Sequence, residues 1–127
     1  MNDKALRAAD YVGHMLDAIQ QIGKYTAELT EADFLNTRLV QDAVARNIEI
    51  LGEAAQNIRK HAPDIANAHS EVPWQDIYGM RNRLAHGYFD VNPHAVWKVV
   101  VRELPILEPM LQSVAEELSG NPACPGK

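Results

Sequence analysis

The residues best suited to chemistry are concentrated at residues 81–88, which read RNRLAHGY. This segment combines two guanidiniums, one imidazole and one phenol. A guanidinium presents planar donors that match phosphate oxygens, and an imidazole can accept or donate a proton near neutral pH. Together they suffice for cleavage of RNA by its own 2′-hydroxyl without a metal ion. Spacing alone leaves a second interpretation open, in which these side chains satisfy the exposed carbonyls at a helix end.

Arg81 and His86 can act together only if the helix that carries them ends near His86. Five residues correspond to about 140° of rotation around a regular helix, so the two side chains do not share one face. Gly87 favours a helix end here, because glycine readily adopts the left-handed conformation that follows a helix terminus. We therefore expect the helix to end at His86, with its ring turned back toward Arg81.

Apolar residues at intervals of three and four predict the helices that position this segment. A first long helix is predicted over about residues 4–28. Thr30 and Asp33 resemble a capping box, which would begin a short helical turn. Asn36 is then expected to cap a second long helix, over about residues 37–60, which stops before the next proline.

Two further helices are predicted in the second half of the chain. Residues 64–72 are weakly patterned and should carry one loose turn, after which Pro73 opens the third helix. Asn92 and the proline after it form a cap and first turn for the last helix. Pro105 falls inside this helix and should bend it near residues 101–105.

Length and composition indicate one globular domain. A chain of 127 residues with 46% hydrophobic residues can bury a single core, which we assign to residues 1–118, leaving residues 119–127 as a flexible tail. A net charge of −5 argues against broad attraction to nucleic acid, so any contact with RNA must be local.

Cys124 is the single cysteine, which excludes an intrachain disulfide. Because the sequence shows neither a signal sequence nor a membrane span, we expect a cytoplasmic protein.

The remaining histidines and the aromatic residues have ordinary structural interpretations. None of these histidines follows a metal-ligand spacing, so we predict neither a metal site nor a cofactor and place them at the surface or at helix caps. They are His14, His61, His69 and His94. The aromatic side chains should pack in the core or in a dimer interface, although base stacking is an alternative for two of them, Tyr78 and Phe89. The aromatic residues are Trp74, Trp97, Tyr78 and Phe89.

Several short patterns resemble the HEPN-domain toxins of the HepT kind. Arg81, His86 and Tyr88 match the signature of arginine, four residues, histidine, any residue and tyrosine. The segment RNIEILGEA at residues 46–54 resembles the signature of the second helix of that family. The Pro-Trp pair before the helix of Arg81 and the proline within ELP at residues 103–105 also have counterparts. Because these patterns occur together and in the same alignment, the chain is identified as a member of the family.

The resemblance implies an all-α fold, a HEPN-type up-and-down helical bundle with a kinked last helix. It implies a homodimer in which two copies of residues 81–88 face one cleft and act as a metal-independent endoribonuclease, toxic to its own cell. A minimal nucleotidyltransferase antitoxin would neutralise the enzyme by transferring AMP to Tyr88. The alternative is a HEPN module without catalysis that binds a nucleotide or docks a nucleotidyltransferase.

The signature suggests a role for each polar residue of the segment. Arg81 is assigned to the scissile phosphate, and His86 is assigned to acid–base catalysis. Asn82 would orient the phosphate or His86, unless it is an ordinary solvated helix residue. Arg83 is a surface residue or helps to position a phosphate.

The second helix carries a charged face. Arg46 and Glu53 share it with Asp42 and Glu49, at steps of four, three and four residues. This face is either a solvated row of ion pairs or the border of the dimer cleft. In the second case, Glu53 would steer a guanidinium of the helix that carries Arg81.

Overall fold

A computed structural model of the chain describes residues 3–84 and 92–120, with side chains from Arg7 onward. Within these ranges the chain forms seven α-helices and one π-helical turn, and it contains no β-strand. The helices are α1 (Asp3–Thr26), α2 (Glu31–Leu35), α3 (Arg38–His61), α4 (Pro63–Ala68), α5 (Trp74–Leu84), α6 (Pro93–Lys98) and α7 (Leu104–Leu118), and the π turn spans Val99–Glu103.

The described helices pack as a bundle around one apolar core. Helix α3 contacts both α1 and α5, and α1 also contacts α7. The core takes side chains from most helices, and its fully buried members include Met15, Phe34, Leu51, Ile77 and Leu111. The predicted all-α helical bundle is therefore confirmed. In the ranges that the structure describes, no helix has the length and apolar character needed to cross a membrane.

Local capping explains where the first helices begin and end. Thr30 Oγ1 accepts a hydrogen bond from the Asp33 amide at 3.1 Å, and the Asp33 carboxylate accepts one from the Thr30 amide at 3.1 Å. The predicted capping box of α2 is thus confirmed. The prediction that Asn36 caps α3 is wrong, because its side-chain amide donates to the Ala32 carbonyl at 2.9 Å and so closes α2. Thr37 takes the capping position of α3 instead.

A tryptophan ties the start of α5 to the preceding helix. The weak pattern after Pro63 predicts only a loose turn, whereas residues 63–68 form the complete short helix α4. Trp74 is buried, and its indole Nε1 donates to the carbonyls of Ala66 at 3.2 Å and His69 at 3.1 Å. These two bonds fix the first turn of α5 against α4. The predicted end of α5 at His86 lies outside the described residues.

His69 differs from the other described histidines in its burial. It follows α4 as the C-cap residue, which is one of the predicted positions, but its side chain is 10% exposed rather than solvated. Its Nδ1 lies 3.5 Å from Glu71 Oε2, and its Nε2 lies 3.6 Å from Glu117 Oε1. These carboxylates partly replace the water that the imidazole loses on burial.

A π-helical turn interrupts the last predicted helix. Asn92 Oδ1 accepts hydrogen bonds from two amides in the first turn of α6, at 3.0 and 3.3 Å, so the predicted cap is confirmed. After α6, the Leu104 amide reaches back five residues to the Val99 carbonyl. Pro105 follows directly, and a proline crowds the preceding turn of a regular helix. The distortion predicted near Pro105 therefore takes the form of a wider π turn.

Gly52 allows α3 and α5 to approach closely. A Cβ at this position would lie 3.2 Å from the Ile77 carbonyl oxygen, 3.3 Å from the Tyr78 carbonyl oxygen and 3.6 Å from the Tyr78 Cα. These atoms belong to the backbone of α5 and cannot rotate away as a side chain can. The absence of a side chain at Gly52 thus sets the spacing between the two helices.

We expect Gly52→Ala to lower the free energy of unfolding by about 1 kcal/mol, because the overpacking cost exceeds the gain in helix propensity. Gly23→Ala is the matched control, since a Cβ there would meet no atom within 4 Å. The control should raise stability by about 0.5–1 kcal/mol. Urea unfolding at one protein concentration measures the free energy of unfolding of both variants. An equal increase in both would show that α5 moves to accommodate the added methyl group without cost.

Candidate functional site

Helix α5 buries one row of side chains and exposes another beside α3. The buried row anchors the helix in the core and consists of Trp74, Ile77, Met80 and Leu84. The second row lines a groove of about 220 Å³ between the two helices. The groove is formed by Tyr78, Arg81 and Asn82 from α5 and by Glu49, Gly52 and Glu53 from α3.

Arg81 is held in this groove by a carboxylate of α3. Its Nε donates a hydrogen bond to Glu49 Oε2 at 3.3 Å, and its side chain is 27% exposed. Among the described residues, this is the only hydrogen bond that the guanidinium makes. The contact orients the planar group and leaves its two Nη groups available for an anion such as phosphate.

A second arginine compensates the same carboxylate from the other side. Arg46 Nη1 lies 3.5 Å from Glu49 Oε1, and the Arg46 side chain is 68% exposed. Glu49 therefore lies between two guanidiniums, one from its own helix and one from α5. Two guanidiniums against one carboxylate leave this cluster of three side chains with a net positive charge, so Glu49 can orient Arg81 without neutralising it.

The charged face of α3 forms exposed ion pairs and lines the groove beside α5, while its position at a dimer cleft stays a prediction. Arg46 and Glu49 form an exposed ion pair, as Arg38 and Asp42 do at 3.1 Å. The same face also borders the groove. The carboxylate that contacts Arg81 is Glu49, however, and the Glu53 expected to steer a guanidinium lies in the groove without touching one among the described residues.

The Arg83 side chain contacts a different structural element from the one that Arg81 contacts. Its Nη2 lies 3.2 Å from Glu103 Oε1 in the π turn, and both side chains are about half exposed. Asn82 is exposed and lines the groove beside Arg81. The arginines that flank Asn82 are therefore held by separate carboxylates on α3 and on the π turn.

His86, Tyr88 and Phe89 fall in residues 85–91, outside the described residues, so the predicted approach of His86 to Arg81 stays a prediction. The two residues that flank this segment are joined, because the Asn92 amide donates to the Leu84 carbonyl at 2.8 Å. Leu84 and Asn92 thus meet at the end of α5, and Leu84 is less than one helical turn beyond Arg81. In the described part of the chain, no group of three or more His, Cys, Asp or Glu side chains could hold a metal ion.

An all-α bundle with an arginine held near the end of α5, and with the 81–88 signature, defines a protein of the HEPN type. The family described as "Ribonuclease HepT-like" matches residues 15–114. The chain therefore belongs to the HepT-like ribonuclease family, and the resemblance found in the sequence is confirmed.

Individual relatives agree with this assignment. A protein of Thermococcus cleftensis named "Probable ribonuclease HepT" is 38% identical over 99 residues, covering 78% of this chain and 87% of the relative. A protein of Caldanaerobacter subterraneus subsp. tengcongensis named "Putative RNase TTE0752" is 32% identical over 107 residues, covering 84% and 93%. No solved structure shows a significant match.

One relative is longer than this chain and carries a second name. It is a protein of Methanocaldococcus jannaschii named "Gamma-glutamylcyclotransferase and putative RNase MJ0434", and it is 36% identical over 111 residues. The match covers 87% of this chain but 49% of the relative, so this chain spans about half of that protein. Ribonuclease is the description that the three relatives share, and it supports ribonuclease activity at the level of the family.

Proposed function

We propose that this chain is the metal-independent endoribonuclease toxin of a toxin–antitoxin pair, with Arg81 and His86 as its catalytic residues. The observation that carries the proposal is the position of Arg81, oriented by Glu49 at the edge of an open groove. A preorganised cation stabilises the charge that develops on a phosphate during cleavage. The signature histidine follows on the same stretch of chain.

The proposed reaction uses the 2′-hydroxyl of the RNA as the nucleophile. His86 of one subunit accepts the proton of the 2′-hydroxyl, and the oxygen attacks the adjacent phosphorus while Arg81 binds the phosphate oxygens. The bond from phosphorus to the 5′-oxygen breaks, and that oxygen receives a proton from a second acid. The products are a 2′,3′-cyclic phosphate and a free 5′-hydroxyl.

A homodimer supplies the second acid. Each chain has one His86, so a site that needs both a base and an acid is completed when two copies of the segment face one cleft. Sedimentation or light scattering at micromolar concentration measures this assembly. A protein that cleaves RNA while it remains a monomer would contradict the dimeric site.

The direct test is incubation of the purified protein with RNA in EDTA. We expect cleavage to persist and the new ends to carry cyclic phosphates, detectable by their resistance to ligation until they are opened. The alternative, a HEPN module without catalysis, predicts binding of a nucleotide or a nucleotidyltransferase with no cut RNA. Cleavage that stops in EDTA and returns with a divalent cation would refute the proposed chemistry.

Glu49 acts in this proposal as a positioning residue for Arg81. We expect Glu49→Gln to lower kcat about tenfold with a smaller change in KM, because a misplaced catalytic group slows the chemical step. Asp42→Asn is the control, since Asp42 lies on the same helix and pairs only with the exposed Arg38 among the described residues. Equal kcat values for the parent and Glu49→Gln would remove the positioning role.

Tyr88 is proposed as the acceptor of AMP from the antitoxin. Each AMP would add a phosphate and a bulky base two residues from His86, and it should block the substrate phosphate without unfolding the protein. After co-expression with a cognate nucleotidyltransferase, intact mass should show AMP additions that disappear in Tyr88→Phe. Tyr25→Phe, which alters an exposed tyrosine in α1, should stay modified. Additions that persist in Tyr88→Phe would place the acceptor elsewhere.

A further inference from the structure

Tyr78 is more exposed than an aromatic core residue. The sequence predicts that it packs in the core or in a dimer interface, with base stacking as the alternative, but 47% of its surface is exposed. It lies one position after the buried Ile77, so helical rotation turns it out of the core and toward the groove. An exposed aromatic ring beside a phosphate-binding residue is suited to stacking on a nucleobase.

The groove has two ends of different charge. At one end, Arg81 contacts Glu49, which Arg46 also compensates. At the other end, Gly52 lies against the backbone of Tyr78, and Glu53 follows it on α3. Tyr78 and Arg81 are three positions apart on α5, so their side chains are neighbours on one face of the helix. A nucleotide whose phosphate binds Arg81 can therefore place its base near Tyr78.

Glu53 is the carboxylate at the aromatic end of the groove. It is exposed, and it forms no hydrogen bond or ion pair with any other residue that the structure describes. A carboxylate repels phosphate, so this end does not suit the backbone of the RNA. It suits N–H donors, which are present on the edges of the bases.

We infer that the groove is a subsite for a guanine base of the RNA substrate, next to the phosphate bound by Arg81. The base stacks on Tyr78, and Glu53 accepts two hydrogen bonds from its edge. Guanine alone among the four bases has two neighbouring donors there, N1–H and the N2 amino group, which match the two oxygens of a carboxylate. This inference rests on the proposed ribonuclease function for the role of Arg81.

Binding of RNA analogues that cannot be cleaved tests the subsite apart from catalysis. The probes are 2′-O-methyl oligouridylates with one central guanosine, or with inosine, which lacks only the N2 amino group. We expect the parent protein to bind the guanosine probe about tenfold more tightly, because inosine keeps N1–H but lacks the second donor to the Glu53 carboxylate. Glu53→Gln should reduce this ratio to near one.

The aromatic contact has its own pair of variants. Tyr78→Ala should weaken both probes by about tenfold, because it removes the stacking surface, whereas Tyr78→Phe should bind as the parent does. Equal weakening in Tyr78→Ala and Tyr78→Phe would assign the effect to the hydroxyl and contradict stacking. The oligomeric state of each variant is measured in parallel.

The outcomes separate this inference from the proposed function. If the protein cleaves natural RNA but binds the two probes equally, the guanine subsite is overturned and the ribonuclease function remains. A preference that depends on Glu53, without cleavage of natural RNA, would support the subsite and refute the catalysis. A Glu53→Gln variant that loses dimerisation but keeps the preference would assign Glu53 to the subunit interface and overturn the inference. Failure of both probes to bind would overturn it as well.

Discussion

Replacing Arg81 with alanine will remove most RNA cleavage, with an expected loss of about 10²–10³-fold in the rate of the chemical step. The variant loses the cation that stabilises the transition-state phosphate. Its fold should remain, because Arg81 makes one partly exposed contact and Glu49 keeps Arg46 as a partner. We expect the free energy of unfolding to change by less than about 1 kcal/mol. Single-turnover rates and thermal melts measure the two effects.

Arg83→Ala is the matched control for Arg81→Ala. It removes the same charge two residues further along α5, where the guanidinium pairs with Glu103 and is 52% exposed. The control should retain most of the activity. Equal losses in both variants would indicate that cleavage depends on the total positive charge of α5, and an Arg81→Ala variant that fails to fold would favour a structural role at the helix end.

Replacing His86 with alanine should reduce the rate by about 10²–10⁴-fold, since the reaction would lose its acid–base group. Binding of an RNA analogue that cannot be cleaved should change much less, because Arg81 and the groove remain. His14→Ala provides the control, as His14 is exposed on α1. A His86→Ala variant that cleaves at the parental rate would exclude His86 from catalysis, and an equal loss of rate and affinity would assign it to binding.

Periodicity and capping residues were sufficient to predict the bundle. The repeat of apolar residues placed the long helices to within a few residues, and the caps at Thr30 and Asn92 depend only on side chains close in sequence. The assignment of Asn36 to α3 failed because one asparagine lies between two helices and can serve either. Local rules do not decide which helix uses it.

The partner of Arg81 could not be selected from the sequence. Periodicity places Arg46, Glu49 and Glu53 on one face of α3, and it thus predicts a border for the site. The choice of Glu49 depends on how far α5 is shifted along α3, which is set by the close contact at Gly52. Such a shift is a property of tertiary packing, and a pattern within one helix does not contain it.

The π turn has a consequence for which residues face the core. Buried positions precede it at Val96 and Val99, and the next buried position, Leu104, comes five residues after Val99 rather than three or four. An uninterrupted α-helix would therefore turn Arg102 or Glu103 inward. The turn acts as a one-residue insertion that rotates the rest of the helix by about 100°. Deleting one residue from the turn would leave Leu104 four positions after Val99, so a regular α-helix could then keep the same apolar residues facing the core.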